Sequence, residues 1–390
     1  MIRFAIHYYL LFTMMATIFP YFQLFLRARG FSDAEVGYLQ GVAGLAGVCG
    51  PMAVGYLADR LGRRKAALVG CLVAFAALLW PLCASGSFAL SAVLVAAAAF
   101  AWHTTIPLSD TLASRELADP AAQYGPVRIW GSIGFVVALG GIRLLGLLDE
   151  RSAGSMATGM LVTAALCLAS ALMLPDRRRT PAPRAAADRP DGAFDAVFWL
   201  FVLAAAMQRL GMSAYYSFFS MYLQDALAMD HAAWVWALGP AAEIALLFYS
   251  GPVIRRFGLV AVMSASMAAV TVRLGLLAMF PELWVVLPSQ LLHGLTFGLF
   301  HAGSIEFLRR KVPARRRGLG MALYMSLGLA LPALIGSALG GHVIEQWGYR
   351  TLYLAYAAPP LLGLACMLAG RRRLDPPAPP PSRLKPAPDS

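Results

Sequence analysis

The sequence predicts an all-α membrane protein with twelve transmembrane helices in two six-helix, pseudo-symmetric bundles. Three observations carry that prediction: composition, the spacing of the apolar runs and the placement of the basic residues. Of 390 residues, 59% are apolar before the 36 glycines are counted, and only 13% are charged. An ordinary soluble domain carries about 25% charge, so a chain this long could not cover a water-facing surface. This excludes a cytosolic enzyme, a secreted disulfide scaffold and a disordered regulator. A hydrocarbon core about 30 Å thick needs about 20 apolar residues per helix, which leaves room for only short loops between twelve of them.

The spans fall at 5–26, 34–57, 66–84, 87–112, 127–147 and 154–174, then 196–223, 232–254, 259–280, 283–307, 319–343 and 351–370. The first apolar run is too long for a signal peptide and has no small-residue cleavage site, so it is expected to stay as a span. Ser32-Asp33-Ala34-Glu35 forms a capping box at the start of the second span. Pro20, Pro107, Pro240 and Pro332 lie inside spans and should kink them. With both termini cytoplasmic, 25 of the 32 basic residues fall on the inner side and four outside. That asymmetry fixes the expected orientation and accounts for the net charge of +12 without nucleic acid.

The expected organisation is an N-terminal bundle over 1–175, a cytoplasmic linker over 176–195, a C-terminal bundle over 196–370 and a disordered Pro-rich cytoplasmic tail over 371–390. The two bundles carry signs of duplication. A shift of 196 residues lays Gly55, Asp59, Arg60 and Gly62 over Gly251, Arg255, Arg256 and Gly258. The same shift lays Asp110 over Glu306 and Arg115 over Lys311. Paired helical halves with a site between them near the midplane are the architecture of alternating-access carriers.

The loop Gly55-Tyr-Leu-Ala-Asp59-Arg60-Leu-Gly62-Arg63-Arg64-Lys65 resembles the loop signature of the major facilitator superfamily. Glycines there permit a tight turn, and Asp59 with Arg60 and Arg63 can pair across helix ends as an inner gate. A narrower resemblance, to the phenylpropionate permease branch, rests on several segments. They are Pro107 to Asp110, Tyr124 to Phe135, Ala214 to Phe218, Ala242-Glu243, Val272-Arg273 and the His293 to His301 stretch. This branch is distantly similar to lactose-type proton symporters. The resemblance implies proton-coupled uptake of a small organic molecule, aromatic acids first. The Gly-x3-Gly-Pro antiporter signature is missing from span five, where Gly125-Pro126 sits at the mouth instead.

Charges inside a bilayer are expensive, so each is a functional candidate. Glu243, mid-span, can seat the coupling proton. Its alternative role is a fixed salt bridge to Arg209 or Arg273. Gln290, His293, Phe297, His301 and Ser304 share one face of span ten, where Gln290 could bind substrate and the histidines could join proton coupling or serve packing. Gln208, Met212, Tyr215, Phe219 and Tyr222 form a stripe on span seven that could stack an aromatic substrate or pack a core. Arg209 and Arg273 are candidate clamps for a substrate carboxylate, with Arg273 ranked first. Asp110 and Arg128 form a candidate inner-gate ion pair or a static helix pair.

No Gly-Lys pair occurs, so there is no phosphate-binding loop. The five cysteines are scattered singly in apolar runs, and no metal site is expected. The expected protein is a monomeric permease of a bacterial inner membrane, not an enzyme. It uses no cofactor beyond the coupling proton, and its partners are lipid and a small-molecule substrate. Nucleoside or sugar symport, drug/proton antiport and a membrane sensor or scaffold are the alternatives.

Overall fold

A computed structural model describes residues 1–176, 194–313 and 316–374. The expected linker and tail lie almost wholly outside the described residues. Seven helices open the chain: α1 (Ile2–Ala28), α2 (Asp33–Leu61), α3 (Arg64–Ala84), α4 (Phe88–Glu116), α5 (Pro120–Leu145), α6 (Ala153–Leu172) and α7 (Ala196–Leu227). A 3-10 turn at Ala232–Ala237 leads into α8, built from Leu238–Phe248 and Ser250–Phe257. Then come α9 (Leu259–Met279) and α10 (Leu283–Lys311). Arg317–Arg371 is a single apolar run of 55 residues. At 1.5 Å per residue it would extend about 80 Å, more than twice a hydrocarbon core. Gly348, at φ 74°, breaks it into α11 before the break and α12 after it. No strand occurs among the described residues.

Local chemistry explains several boundaries. The capping box is formed: Ser32 Oγ accepts from Glu35 N at 3.3 Å, and Glu35 Oε2 accepts from Ser32 N at 2.9 Å. Gly62 ends α2 in the left-handed region at φ 63°, and its repeat counterpart Gly258 has φ 83° before α9. Only glycine enters that region without a Cβ penalty. Pro20 sits in a turn that splits α1 between Ile18 and Phe22. Pro332 cannot donate a backbone bond, and the turn preceding it, Tyr324–Ala330, widens to a π-helix.

We call inner the end that carries Gly62 and Gly258. At the outer end the two halves are tied together. Arg27 donates to both Asp225 carboxylate oxygens at 2.8 and 2.7 Å, and Tyr349 donates to the same carboxylate at 2.7 Å. Glu150 is buried and accepts from the Ala232 and Ala233 amides at 2.8 and 3.0 Å, capping the 3-10 turn of the opposite half. Glu345 accepts from the Ala34 amide at 2.9 Å, and Arg151 pairs with Asp230 at 2.8 Å. The α2–α11 crossing is so close that a Cβ on Gly341 would overlap the Asp33 carbonyl and Ala34 Cα.

The apolar core follows the same division. One cluster runs through the first six helices and continues across the outer end into Tyr215, Phe219, Trp236 and Tyr353. A separate cluster fills the inner end of the second half, around Phe198, Phe201, Met263 and Phe307. The ion pairs Asp59–Arg64, Glu306–Arg309 and Asp195–Lys311, at the inner end, each stay within one half.

A cysteine pair replacing Tyr38 and His342, whose rings meet at 5.4 Å and hydrogen-bond at 3.0 Å across the outer end, is expected to be bridged by a short bifunctional thiol reagent. Adding Gly341→Ala should sharply reduce the cross-linked fraction on denaturing gels, because the new Cβ meets backbone that cannot give way.

Candidate functional site

Four helices of the second half place a polar spine inside the membrane. α9 contributes Arg273, which is 0% exposed. Its Nη2 donates to Gln290 Oε1 of α10 at 2.7 Å, and the Tyr215 hydroxyl of α7 donates to the same oxygen at 2.9 Å. The guanidinium carbon lies 3.9 Å from the centre of the Tyr215 ring, so its face is covered by the ring's negative quadrupole. Its Nη1 is 3.3 Å from His293 Nδ1. On the other side of that ring, His293 Nε2 is 3.8 Å from the Glu243 carboxylate of α8.

The direction of these bonds follows from the donor inventory. A guanidinium has donors only, so His293 Nδ1 must accept. The neutral imidazole then carries its proton on Nε2, the nitrogen that faces Glu243. Glu243, His293, Arg273, Gln290 and Tyr215 thus form one row of polar groups from carboxyl to phenol, with contacts from His293 onward at hydrogen-bond distance and Glu243 3.8 Å from the imidazole.

Three other expected residues take different places. Phe219 is 0% exposed and packs against Tyr215, Tyr222 and Trp236, at 4.5 Å from the Tyr215 ring. Its ring is core and lines no open space in this conformation. Gln208 is buried, with Nε2 donating to the Thr296 carbonyl at 2.9 Å and Oε1 without a partner. His301 is exposed, and its ring stacks on Phe297 at 5.8 Å, which stacks on His293 at 5.7 Å. This ladder of rings follows a π-helical turn at Gly294–Leu299, whose wider pitch keeps residues four apart in line. Ser304, expected on the same face, is instead buried and bonded to the Phe300 carbonyl.

Glu243 forms no ion pair with Arg209 or Arg273 among the described residues. Its partner is His293, and the cation that acts on it across the halves is Arg128 of α5. Arg273 is the first candidate for a carboxylate clamp by sequence, and the structure places it otherwise. Its two terminal nitrogens and one face are already engaged, whereas Arg209 is half-buried and rests over Tyr216 at 4.7 Å. The spacing could not reveal this, because α9 turns Arg273 into the helix bundle.

In the first half, Asp110 and Arg128 come together at 3.9 Å. The Tyr8 hydroxyl donates to Asp110 at 2.6 Å, and Arg128 lies over Phe12 at 4.2 Å. Both partners belong to one half, so this pair ties α1, α4 and α5 and does not itself bridge the halves. In the 55–65 loop, Asp59 pairs with Arg64, while Arg60 and Arg63 are exposed and Gly55 faces open space.

Sequence reading missed Glu150, Trp236 and His7. Glu150 sits in a short outer loop with no periodicity to mark it. Trp236 donates to Ser220 Oγ at 2.9 Å, beside the Glu150 cap. His7 is fully buried, with ring nitrogens 2.8 Å from Ser170 Oγ and 2.9 Å from Ser109 Oγ. A histidine in an apolar span is visible in sequence, but two serines more than 100 positions away are not.

Paired helical halves closed at one end, with a charged spine buried at mid-depth, define a membrane carrier. The sequence matches the MFS_1 like family over residues 1–355, and the chain belongs to that family. It is 26% identical to the maltose permease of Geobacillus stearothermophilus, covering 95% of this chain and 94% of that protein. It is 24% identical to the probable 3-phenylpropionic acid transporter of Escherichia coli K12, over 92% of this chain and 96% of that one. The crystal structure of the nucleoside transporter NupG superposes with a TM-score of 0.79 at 21% identity, over 94% of this chain and 98% of that one. Its helical fold is therefore that of a major facilitator superfamily permease, and it functions in transport across a membrane.

Gln290→Ala should lower the thermal stability of the purified protein by about 1–3 kcal/mol, since it strips a buried guanidinium and a buried phenol of their shared acceptor. Melting in detergent, followed by tryptophan fluorescence, measures it.

Proposed function

We propose that this carrier is a proton symporter for uptake of a small aromatic or other organic acid across a bacterial inner membrane. The observation that carries the reading is the Glu243–His293–Arg273 relay. A carboxyl beside a neutral imidazole Nε2 can take up a proton in one state of the carrier and release it in another. The adjoining Arg273–Gln290–Tyr215 bonds transmit that change to α7, α9 and α10. Likeness to the 3-phenylpropionic acid transporter supports an acid substrate. Likeness to the maltose permease and to the nucleoside transporter supports the competing reading, a neutral sugar or nucleoside.

Both termini face the cytoplasm in this reading, as the basic-residue asymmetry requires. The ties from Arg27, Glu150 and Glu345 then make the outer gate, and the structure is the inward-facing form. Gly55, Asp59, Arg60, Gly62 and Arg63 would meet the opposite half only when the outer ties break. The protein acts as a monomer, with no cofactor but the proton.

Addition of 3-phenylpropionate to proteoliposomes should alkalinise the external medium with wild type and leave pH unchanged with Glu243→Gln. Alkalinisation by a nucleoside or sugar alone would keep the coupling and overturn the acid substrate. Equal alkalinisation by wild type and the variant would overturn the role of Glu243.

A further inference from the structure

Neither guanidinium at the centre pairs with a carboxylate among the described residues, and the two differ in what else holds them. Arg209 lies on α7, one residue from Gln208, and its guanidinium covers the Tyr216 ring at 4.7 Å. No carboxylate pairs with it among the described residues, and its Nε, like that of Arg273, is buried without an acceptor. The groups that act on it electrostatically are the Tyr216 and Tyr324 rings of its own half and His103 of α4 in the opposite half. None of these brings a negative charge. An unneutralised cation inside a bilayer is costly, and such residues mark substrate or ion pathways.

The second guanidinium is placed differently. Arg273 spends both terminal nitrogens on Gln290 and His293 and one face on Tyr215, and it is closed off from solvent. It positions the proton relay. Arg209 keeps its edge free, between residues of both halves, and Tyr216 beneath it meets His293 edge-on at 6.3 Å. An anion held at Arg209 is therefore one ring away from the Glu243–His293 pair.

The charges at the centre support the same assignment. Arg128 and Asp110 offset each other. That leaves Arg209 and Arg273 against Glu243, an excess of one positive charge when Glu243 is ionised. Binding one monoanion together with one proton on Glu243 leaves that excess unchanged. Binding a neutral solute with the proton doubles it, and a doubled buried charge raises the barrier for the loaded carrier to reorient.

We propose that Arg209 is the seat of the substrate's single negative charge, which makes the carrier selective for monoanions. Arg273 acts as a positioning residue. The proposal rests on the acid-substrate reading above and deepens it.

The test compares equilibrium binding of 3-phenylpropionate and 3-phenylpropionamide to the full chain in detergent. These differ in charge and share shape. Wild type is expected to favour the acid by about 10- to 100-fold, the span of a charge-assisted hydrogen-bonded pair. Arg209→Gln should remove that preference while binding the amide as wild type does, and Arg209→Lys should keep it at reduced size. A preference that survives intact in Arg209→Gln overturns the proposal and leaves the acid-substrate reading standing. Loss of acid and amide binding together in both variants assigns Arg209 a structural role and also overturns it. No acid preference in wild type overturns the acid-substrate reading itself, and the seat with it.

Discussion

A guanidinium keeps its proton at any pH a cell meets, so one placed inside a membrane must find its stabilisation in place. The burial of Arg273 imposes that condition on everything around it. Gln290 supplies an oxygen, Tyr215 a ring face and His293 a lone pair, and each is thereby fixed in one orientation. The histidine's tautomer is set as a consequence, and with it the proton that faces Glu243. Three helices are held in register by one permanently charged group. The second arginine, Arg209, lacks such a shell, and that contrast separates a scaffold charge from one available to a ligand.

The two ends of the molecule obey different chemistry. At the outer end, carboxylates serve as acceptors for backbone amides or arginine across the halves: Glu150 for Ala232 and Ala233, Glu345 for Ala34, Asp225 for Arg27. Each such contact is compact and can be exchanged for water when the halves part. At the inner end, Lys65 bonds the Leu172 and Leu174 carbonyls of its own half, and Arg309 and Arg310 hold Glu306 of theirs. Ion pairs satisfied within one half leave that half free to move as a body, which alternating access requires.

Much of this was legible in the sequence. Apolar run lengths located the helices, the capping box at Ser32 and the glycines at 62 and 258 marked their ends, and the charged residues of α8, α9 and α10 stood out against their surroundings. Helix periodicity placed Gln290 and His293 on one face, and the relay uses both. What stayed hidden depends on how helices rotate against each other. Arg209 and Arg273 look alike in sequence, and only packing shows that one is enclosed. Phe219 shares a stripe with Tyr215, yet Trp236, from a turn that periodicity does not reveal, covers it. Ser304 lies three residues after His301 in the regular part of α10, and its burial against the Phe300 carbonyl depends on packing that periodicity does not show. Glu150 and the serines around His7 act through partners distant in the chain.

Charge at the centre gives the most direct check. If one monoanion enters with one proton, no net charge crosses the membrane, so a pH gradient drives accumulation and an electrical potential does not. The measurement is uptake of labelled 3-phenylpropionate into proteoliposomes whose potential is clamped by valinomycin and potassium. An alkaline interior at zero potential should drive accumulation, and a negative interior at equal pH should leave uptake at the level without any gradient. Accumulation driven by the potential alone would contradict a centre in which Arg209 takes the anion while Glu243 takes the proton.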